Sequence, residues 1–301
     1  MSHDISMPRK TIRRYKSSNK TLKKMKCSPN RKGKKKYTCY SDESLEKLRK
    51  LWNARHPDHR IKSKKDKKIW EALKKNLGNV CNTEKCWLRQ HFAKNHLTSD
   101  LVNYTFAPSS PQSWEKNPTE WLTSLDIERV MKQYEKKYKS FEFIGPSPID
   151  FDKHLLYNEC VWEELCKFNL KKYIKQGKKK IGIIFNVDPH YKEGSHWISL
   201  FIDINKKFIL FFDSTGDGVP KEINVLMNRI ISQADKLGIK LHRIVNKQSH
   251  QRGDTECGMY SLFLIIELLE NRKTPNYFTK GRISDKEMEK LRKVYFNEAG
   301  R

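Results

Sequence analysis

The apolar positions of this chain fall into distinct regimes. Before residue 39 they show no period at all. From 39 to 100 they recur at helical spacing among charges. Ser41 or Asp42 can cap a helix with Leu45, Leu48, Leu51 and Trp52 on one face. A second helix fits Ile69, Trp70, Leu73 and Leu77 and stops at Gly78. A third holds Trp87, Leu88, His91 and Phe92. "TEWLTSLDIERVMKQYEKKY" again sets Trp121, Leu125, Ile127 and Met131 at helical spacing, until "GPSPIDF" breaks the pattern. Beyond it, strands and helices alternate. Residues 161–175 read as helix and "IGIIFNV" (181–187) as a buried strand. "HWISLFIDI" and "KFILFFD" read as two strands joined by a tight Asn205-Lys206 turn. A helix over about 220–236, a strand near "HRIVN", a helix after Cys257 and a closing helix capped by Ser284 complete an α+β pattern.

These patterns divide the chain into a disordered basic tail (1–38), a helical arm module (39–100), a linker with Pro108, Pro111 and Pro118 (101–118) and a main domain (119–301). Charge sharpens the picture of the tail. Residues 1–36 hold 14 Lys or Arg against the single acid Asp4, and the 301-residue chain carries a net charge of +27. Such a tail attracts polyanions, nucleic acid included, through its phosphates. No aromatic platform accompanies the lysines, so nonspecific nucleic-acid binding is expected rather than base reading. No run of about 18 apolar residues predicts a membrane span, and no apolar signal core opens the chain, which points to a reducing compartment.

Seven cysteines, at 27, 39, 81, 86, 160, 166 and 257, are odd in number and irregular in spacing. They read as ordinary thiols rather than as a disulfide framework. Cys81 and Cys86 have no second pair at zinc-finger distance, so no metal is expected. His91 and His96 read as packing or surface residues.

Candidate chemistry concentrates at "QRGDTECGMYSLFLIIELLE", residues 251–270. Helix from Gly258 onward is apolar on nearly every side, which marks a core helix. Cys257 then sits in its first turn, where unpaired backbone N–H groups and the helix dipole favour a thiolate. A small buried cysteine at the start of a core helix is the other reading of the same stretch. A hairpin centred on Asn205-Lys206 pairs position 196 with 215, which leaves Asp213 one diagonal step from His196. The carboxylate can then orient the imidazole while its other nitrogen faces a thiolate. A surface histidine and a turn aspartate in "DSTGDG" are the plainer alternative. His190, His242 and His250 lack a carboxylate placed so simply. The Cys257 N–H and the Gln251 amide are candidate oxyanion donors, with Gln248 as a fallback and Gly253 free to bend the loop.

"HW", an Asp 17 positions after the His, and "QRGDTECGMY" together resemble the cysteine proteases of the ubiquitin-like-protein (SUMO) protease and adenovirus protease superfamily. The likeness covers residues 115–297. It implies a papain-like α+β core with a central helix on a mixed or antiparallel sheet. By it Cys257 is the nucleophile, His196 the general base, Asp213 the orienting acid and Gln251 the oxyanion donor. Trp197 and Trp121 match the two tryptophans that enclose a narrow Gly-Gly tunnel in SUMO proteases. One position departs: the acid of the family's "WLND" is Ser124 here, in "WLTS", which counts against deSUMOylation. "WNARHPDHRI", "IWEALKKNL", "CNTEKCWLRQHF" and "FEFIGPSPIDF" further resemble the SUMO-type proteases of large DNA viruses, the African swine fever virus group among them.

The resemblance implies a thiol endopeptidase that cuts after Gly-Gly in viral structural or core precursors during maturation. Its place would be the virion core, and the host cytoplasm during infection. No metal or organic cofactor is implied. A deconjugating isopeptidase acting on host conjugates is the nearest alternative, and an inactive nucleic-acid-binding scaffold the next.

Overall fold

The central strand of the sheet explains the architecture. In β3 every residue from Trp197 to Asp203 is buried, so both faces of the strand need cover. Trp197 and Phe201 turn to one face, and Ile198, Leu200 and Ile202 to the other, as the period of two requires. A computed structural model describes residues 21–31 and 35–299 and divides the chain into two compact units.

The smaller unit gathers residues 42–97 with the stretch just before Met25. It holds α1 (Asp42–Arg55), α2 (Asp66–Leu77) and α3 (Glu84–Trp87). Leu45, Leu48, Ile69 and Leu73 are fully buried between the first two, as their spacing predicts. The expected third helix shrinks to the single turn of α3. Beyond it the backbone closes tight turns instead, with Gln90 N–H on the Trp87 carbonyl and Ala93 N–H on the Gln90 carbonyl.

The larger unit comprises Met25–Ser41 and the chain from Thr98 onward. Two expectations fail here. Residues 25–31 and 35–38 are not a disordered tail: Met25, Ser28 and Thr38 are buried. Asn297 accepts the Lys26 N–H at 2.7 Å and donates to the Lys26 carbonyl at 3.0 Å. Nor is 101–118 a linker. It contains most of α4 (Ser99–Tyr104), buries Leu101, Phe106 and Ala107, and is held by Gln133 Nε2 on the Phe106 carbonyl at 2.9 Å. Both segments are fixed by partners distant in sequence, which lysine and proline content cannot reveal. Residues 1–20 and 32–34 of the expected tail lie outside the described residues.

Along the rest of the chain run α5 (Ser124–Lys137), β1 (Phe141–Pro148), α6 (Glu163–Cys166), α7 (Leu170–Lys175), β2 (Lys180–Asn186), β3 (Trp197–Asp203) and β4 (Phe208–Phe212). They are followed by α8 (Lys221–Asp235), β5 (His242–Val245), α9 (Cys257–Leu269), α10 (Pro275–Lys280) and α11 (Asp285–Tyr295). Thr123 and Asp126 form a capping box that starts α5 after Trp121, so that tryptophan precedes the helix. The five strands lie in sequence order, β1-β2-β3-β4-β5, with parallel outer pairs and antiparallel inner pairs.

Helix α9 is buried along its whole length against one face, joined by α5 and α11. Gly182 allows this approach, because a Cβ there would stand 2.9 Å from Ile265 Cγ2. Helices α6 to α8 cover the opposite face. The result is the expected α+β core with a mixed sheet.

Six of the seven cysteines form disulfides, against the reading of ordinary thiols: Cys27–Cys39, Cys81–Cys86 and Cys160–Cys166. Each joins positions at most 12 apart in sequence, so local loop geometry makes the pairs, and an odd total concealed them. Cys257 alone stays free. Among the described residues no helix is long and apolar enough to cross a membrane.

Candidate active site

The β3–β4 hairpin forms in the register set by a turn over Asn205-Lys206. Asp203 pairs with Phe208 and Ser199 with Phe212. His196 immediately precedes β3 and Asp213 immediately follows β4, so both project from the same end of the hairpin. Their side chains meet, with His196 Nε2 2.7 Å from Asp213 Oδ1. The aspartate is itself held by further contacts, among them the Gly216 N–H on its carbonyl at 3.1 Å. Thr215 donates its backbone N–H (2.9 Å) and hydroxyl (2.8 Å) to Oδ1, and the buried Asn246 amide donates to the Asp213 carbonyl at 2.7 Å. The sequence reading missed Thr215 and Asn246. "DST" was a visible signal for the first, since turn hydroxyls bond the preceding aspartate, whereas nothing local marks Asn246.

With Nε2 committed to Asp213, Nδ1 is left for Cys257, which opens α9 and interacts with the imidazole. Burial works to lower the His196 pKa. Hydrogen bonds to Asp213 and to the Cys257 sulfur, and the charges of both, outweigh it and raise the value to about 10. Burial likewise works to raise the Asp213 carboxyl, but the imidazole and Thr215 hold it below the usual carboxylate range. The arrangement therefore favours imidazolium beside carboxylate, with a sulfur at the remaining nitrogen.

Gln251 reaches the same corner. Its backbone N–H donates to the Ser214 carbonyl at 2.9 Å and its Oε1 accepts the Ser214 hydroxyl at 2.7 Å. One Nε2 hydrogen bonds the Gly253 carbonyl at 2.7 Å, and the amide has a second hydrogen to give. The loop before Cys257 is braced from α11: Asp285 accepts the N–H groups of Arg252 (2.9 Å) and Gly253 (3.0 Å) and the Tyr260 hydroxyl (2.8 Å). Asp285 sits in the first turn of a surface-patterned helix, where sequence gives no hint of this task.

Trp197 is buried and donates its indole N–H to the Leu122 carbonyl at 2.9 Å. That bond fixes the residue next to Trp121, which is itself 37% exposed. Gly258, behind Cys257, lies so close to both that an added Cβ would be 3.0 Å from Leu122 Cβ and 3.2 Å from Trp197 Cδ1. Cys257 itself is only 1% exposed. A cavity of about 710 Å³ bounded by Trp114, Thr119 and Arg292 includes neither Cys257 nor His196 in its walls.

The competing candidates are occupied elsewhere. His190 pairs with Asp150 at 2.7 Å. His242 is exposed on β5. His250 is fully buried, accepting the Ile283 N–H on Nδ1 (3.1 Å) and donating from Nε2 to the Phe278 carbonyl (2.9 Å). Burial lowers its pKa, as befits a neutral structural histidine. Gln248 turns its amide to the Ser249 carbonyl at 3.1 Å.

Comparison with known proteins agrees with this architecture. Residues 126–300 match the model of the Ulp1 protease family, C-terminal catalytic domain. A protein of Acanthamoeba polyphaga mimivirus, provisionally named a thiol protease, is 30% identical over 290 residues, covering 90% of this chain and 92% of the relative. A SUMO-1 cysteine protease of African swine fever virus is 28% identical over 262 residues, covering 80% and 92%. In fold, a crystal structure of the African swine fever virus protease superposes with a TM-score of 0.63 at 22% identity, covering 91% of this chain and 96% of that one.

Proposed function

The chain belongs to the Ulp1 protease family and is a cysteine protease, and from that premise we propose that Cys257 is its nucleophile and that it cuts after Gly-Gly in viral structural precursors. The observation that carries the residue assignment is the His196–Asp213 hydrogen bond, with the imidazole pKa raised to about 10 beside the Cys257 sulfur.

In this reading Cys257 Sγ attacks the carbonyl carbon of the second glycine. The Cys257 N–H and the spare Gln251 N–H hold the resulting oxyanion. His196 passes its Nδ1 proton to the leaving amine, and the C–N bond breaks to give a thioester. His196 then accepts a proton from water, whose oxygen adds to the thioester. Collapse frees the new carboxyl end and returns sulfur as thiolate. Asp213 keeps the ring oriented and its charge compensated throughout.

Substrate selection follows from crowding. Cys257 is 1% exposed, and Gly258, Leu122 and Trp197 stand in near contact. We assign Trp121 and Trp197 to the walls of a slot that takes an extended chain without Cβ atoms, hence Gly-Gly. Ser124, first residue of α5, stands where the deconjugating enzymes carry an acid, which favours precursor cleavage over removal of SUMO. We further propose that the enzyme works within the virus particle and the host cytoplasm, drawn to packaged nucleic acid by its net charge of +27.

The test is mass spectrometry of viral core precursors and of SUMO conjugates, each incubated with wild type and with Cys257→Ala. Wild type alone should release new ends after Gly-Gly from the precursors. Release of SUMO alone would redirect the reading to deconjugation, and cutting by Cys257→Ala would remove it.

A further inference from the structure

The segment from the end of β1 through α6 holds a cluster that the protease chemistry does not use. The Nε2 of His154 and the sulfurs of Cys160 and Cys166 lie within 4.8 Å of one another. Nε2 is 3.9 Å from Cys160 Sγ and 3.7 Å from Cys166 Sγ. The other ring nitrogen is already engaged, Nδ1 standing 2.5 Å from Asn158 Oδ1. An amide oxygen only accepts, so Nδ1 carries the hydrogen and the lone pair of Nε2 points to the sulfurs. A polar partner that fixes the tautomer in this way is the usual support of a metal-binding histidine.

Contacts other than the S–S bond also hold the three positions. His154 and Cys160 face each other across a β-bridge, and Val161 N–H bonds the Lys153 carbonyl at 3.0 Å. Arg229 reaches across from α8 to the carbonyls of Leu165 and Cys166, both at 3.0 Å. In the structure Cys160 and Cys166 are joined as a disulfide.

We propose that reduction of this disulfide creates a zinc site of His154, Cys160 and Cys166, with a fourth position open to water. A dithiol supplies two electrons and is itself oxidised to a disulfide, giving two thiols here. Zn²⁺ then binds both sulfurs and Nε2, releasing two protons. A peroxide takes the two electrons back and is itself reduced to water or an alcohol, which rejoins the sulfurs and expels the ion. Geometry favours the step. Tetrahedral zinc with ordinary Zn–S and Zn–N bonds sets nitrogen and sulfur about 3.6 Å apart and the two sulfurs about 3.8 Å apart. The nitrogen is therefore already in place, and only the sulfurs must separate. In either redox state the site ties the base of a loop whose tip presents Leu156, 83% exposed, and Tyr157, 96% exposed. The site shares no residue with His196 and Cys257 and does not depend on their roles.

Cobalt titration of the full chain tests this, after reduction with a phosphine and removal of the reductant without air. Reduced wild type should take up Co²⁺ with tetrahedral d–d bands and thiolate charge-transfer absorption, and Zn²⁺ should displace it. Cys160→Ser should lose the charge-transfer signal, while Cys81→Ser keeps it. His154→Ala should weaken binding at least about tenfold, and Asn158→Gly, which suits the φ of 62° there, about 10- to 100-fold. The oxidised chain should take up none. If Cys160→Ser does not fold by circular dichroism, His154→Ala, which leaves the disulfide intact, decides. No cobalt uptake by reduced wild type, or uptake unchanged in His154→Ala, overturns the proposal.

Discussion

Glu256, the residue before Cys257, forms an ion pair with Arg292 of α11 through two guanidinium nitrogens: Nε lies 3.0 Å from each carboxylate oxygen and Nη2 2.9 Å from Oε1. Both side chains are almost completely buried. The guanidinium also donates from Nη1 to the Glu120 carbonyl (2.7 Å) and from Nη2 to the carbonyls of Thr119 (3.2 Å) and Thr255 (3.3 Å). One side chain thus joins the start of α9 to the segment that leads into Trp121. Arg292→Ala would strand the Glu256 carboxylate in the interior, at a cost of about 3–5 kcal/mol. Denaturant unfolding should read that loss, and Arg292→Lys should not restore it, because an ammonium cannot reproduce the fork.

Asp213→Asn removes the partner that most strongly raises the His196 pKa after burial has lowered it. A raised histidine pKa keeps the imidazolium up to about 10, so the alkaline limb of kcat/KM should fall near that value in wild type. Losing the carboxylate lets the value fall, and the limb should move towards neutral pH. Activity at neutral pH should drop about 10²- to 10⁴-fold. A pH profile of peptide cleavage by both proteins checks the shift and the loss together.

Gly258→Ala places a methyl group 3.0 Å from Leu122 Cβ and 3.2 Å from Trp197 Cδ1. Overpacking of this kind costs about 1–3 kcal/mol. Because the displaced atoms belong to the assigned slot, kcat/KM for a Gly-Gly peptide should fall further than stability does. Parallel measurement of thermal unfolding and peptide cleavage separates the two effects.

Local pattern carried the candidate site well. The turn at Asn205-Lys206 and the strict alternation around it set the hairpin register, and with it the meeting of His196 and Asp213. The apolar circumference after Gly258 marked the core helix that Cys257 opens. What stayed hidden depends on partners far along the chain. Strand β1 ends in Gly145-Pro146-Ser147-Pro148, which reads as a break, yet it pairs with β2 through a register shift between Ile144 and Ser147. Met25 to Thr38 looked like tail because its anchor, Asn297, lies 271 residues from Lys26. Arg292 and Asp285 belong to a charged helix whose surface pattern conceals two inward residues that brace the loop before Cys257.

The central claim is that Cys257 and His196 act as one thiolate–imidazolium unit, and alkylation by iodoacetamide at neutral pH tests it most directly. Cys257 is the single unpaired cysteine among the described residues, so the site of modification is readable by peptide mapping. Wild type should be modified at Cys257, losing activity in step, and at least about tenfold faster than His196→Ala. Equal rates in the two proteins, or loss of activity with Cys257 unmodified, would contradict the account.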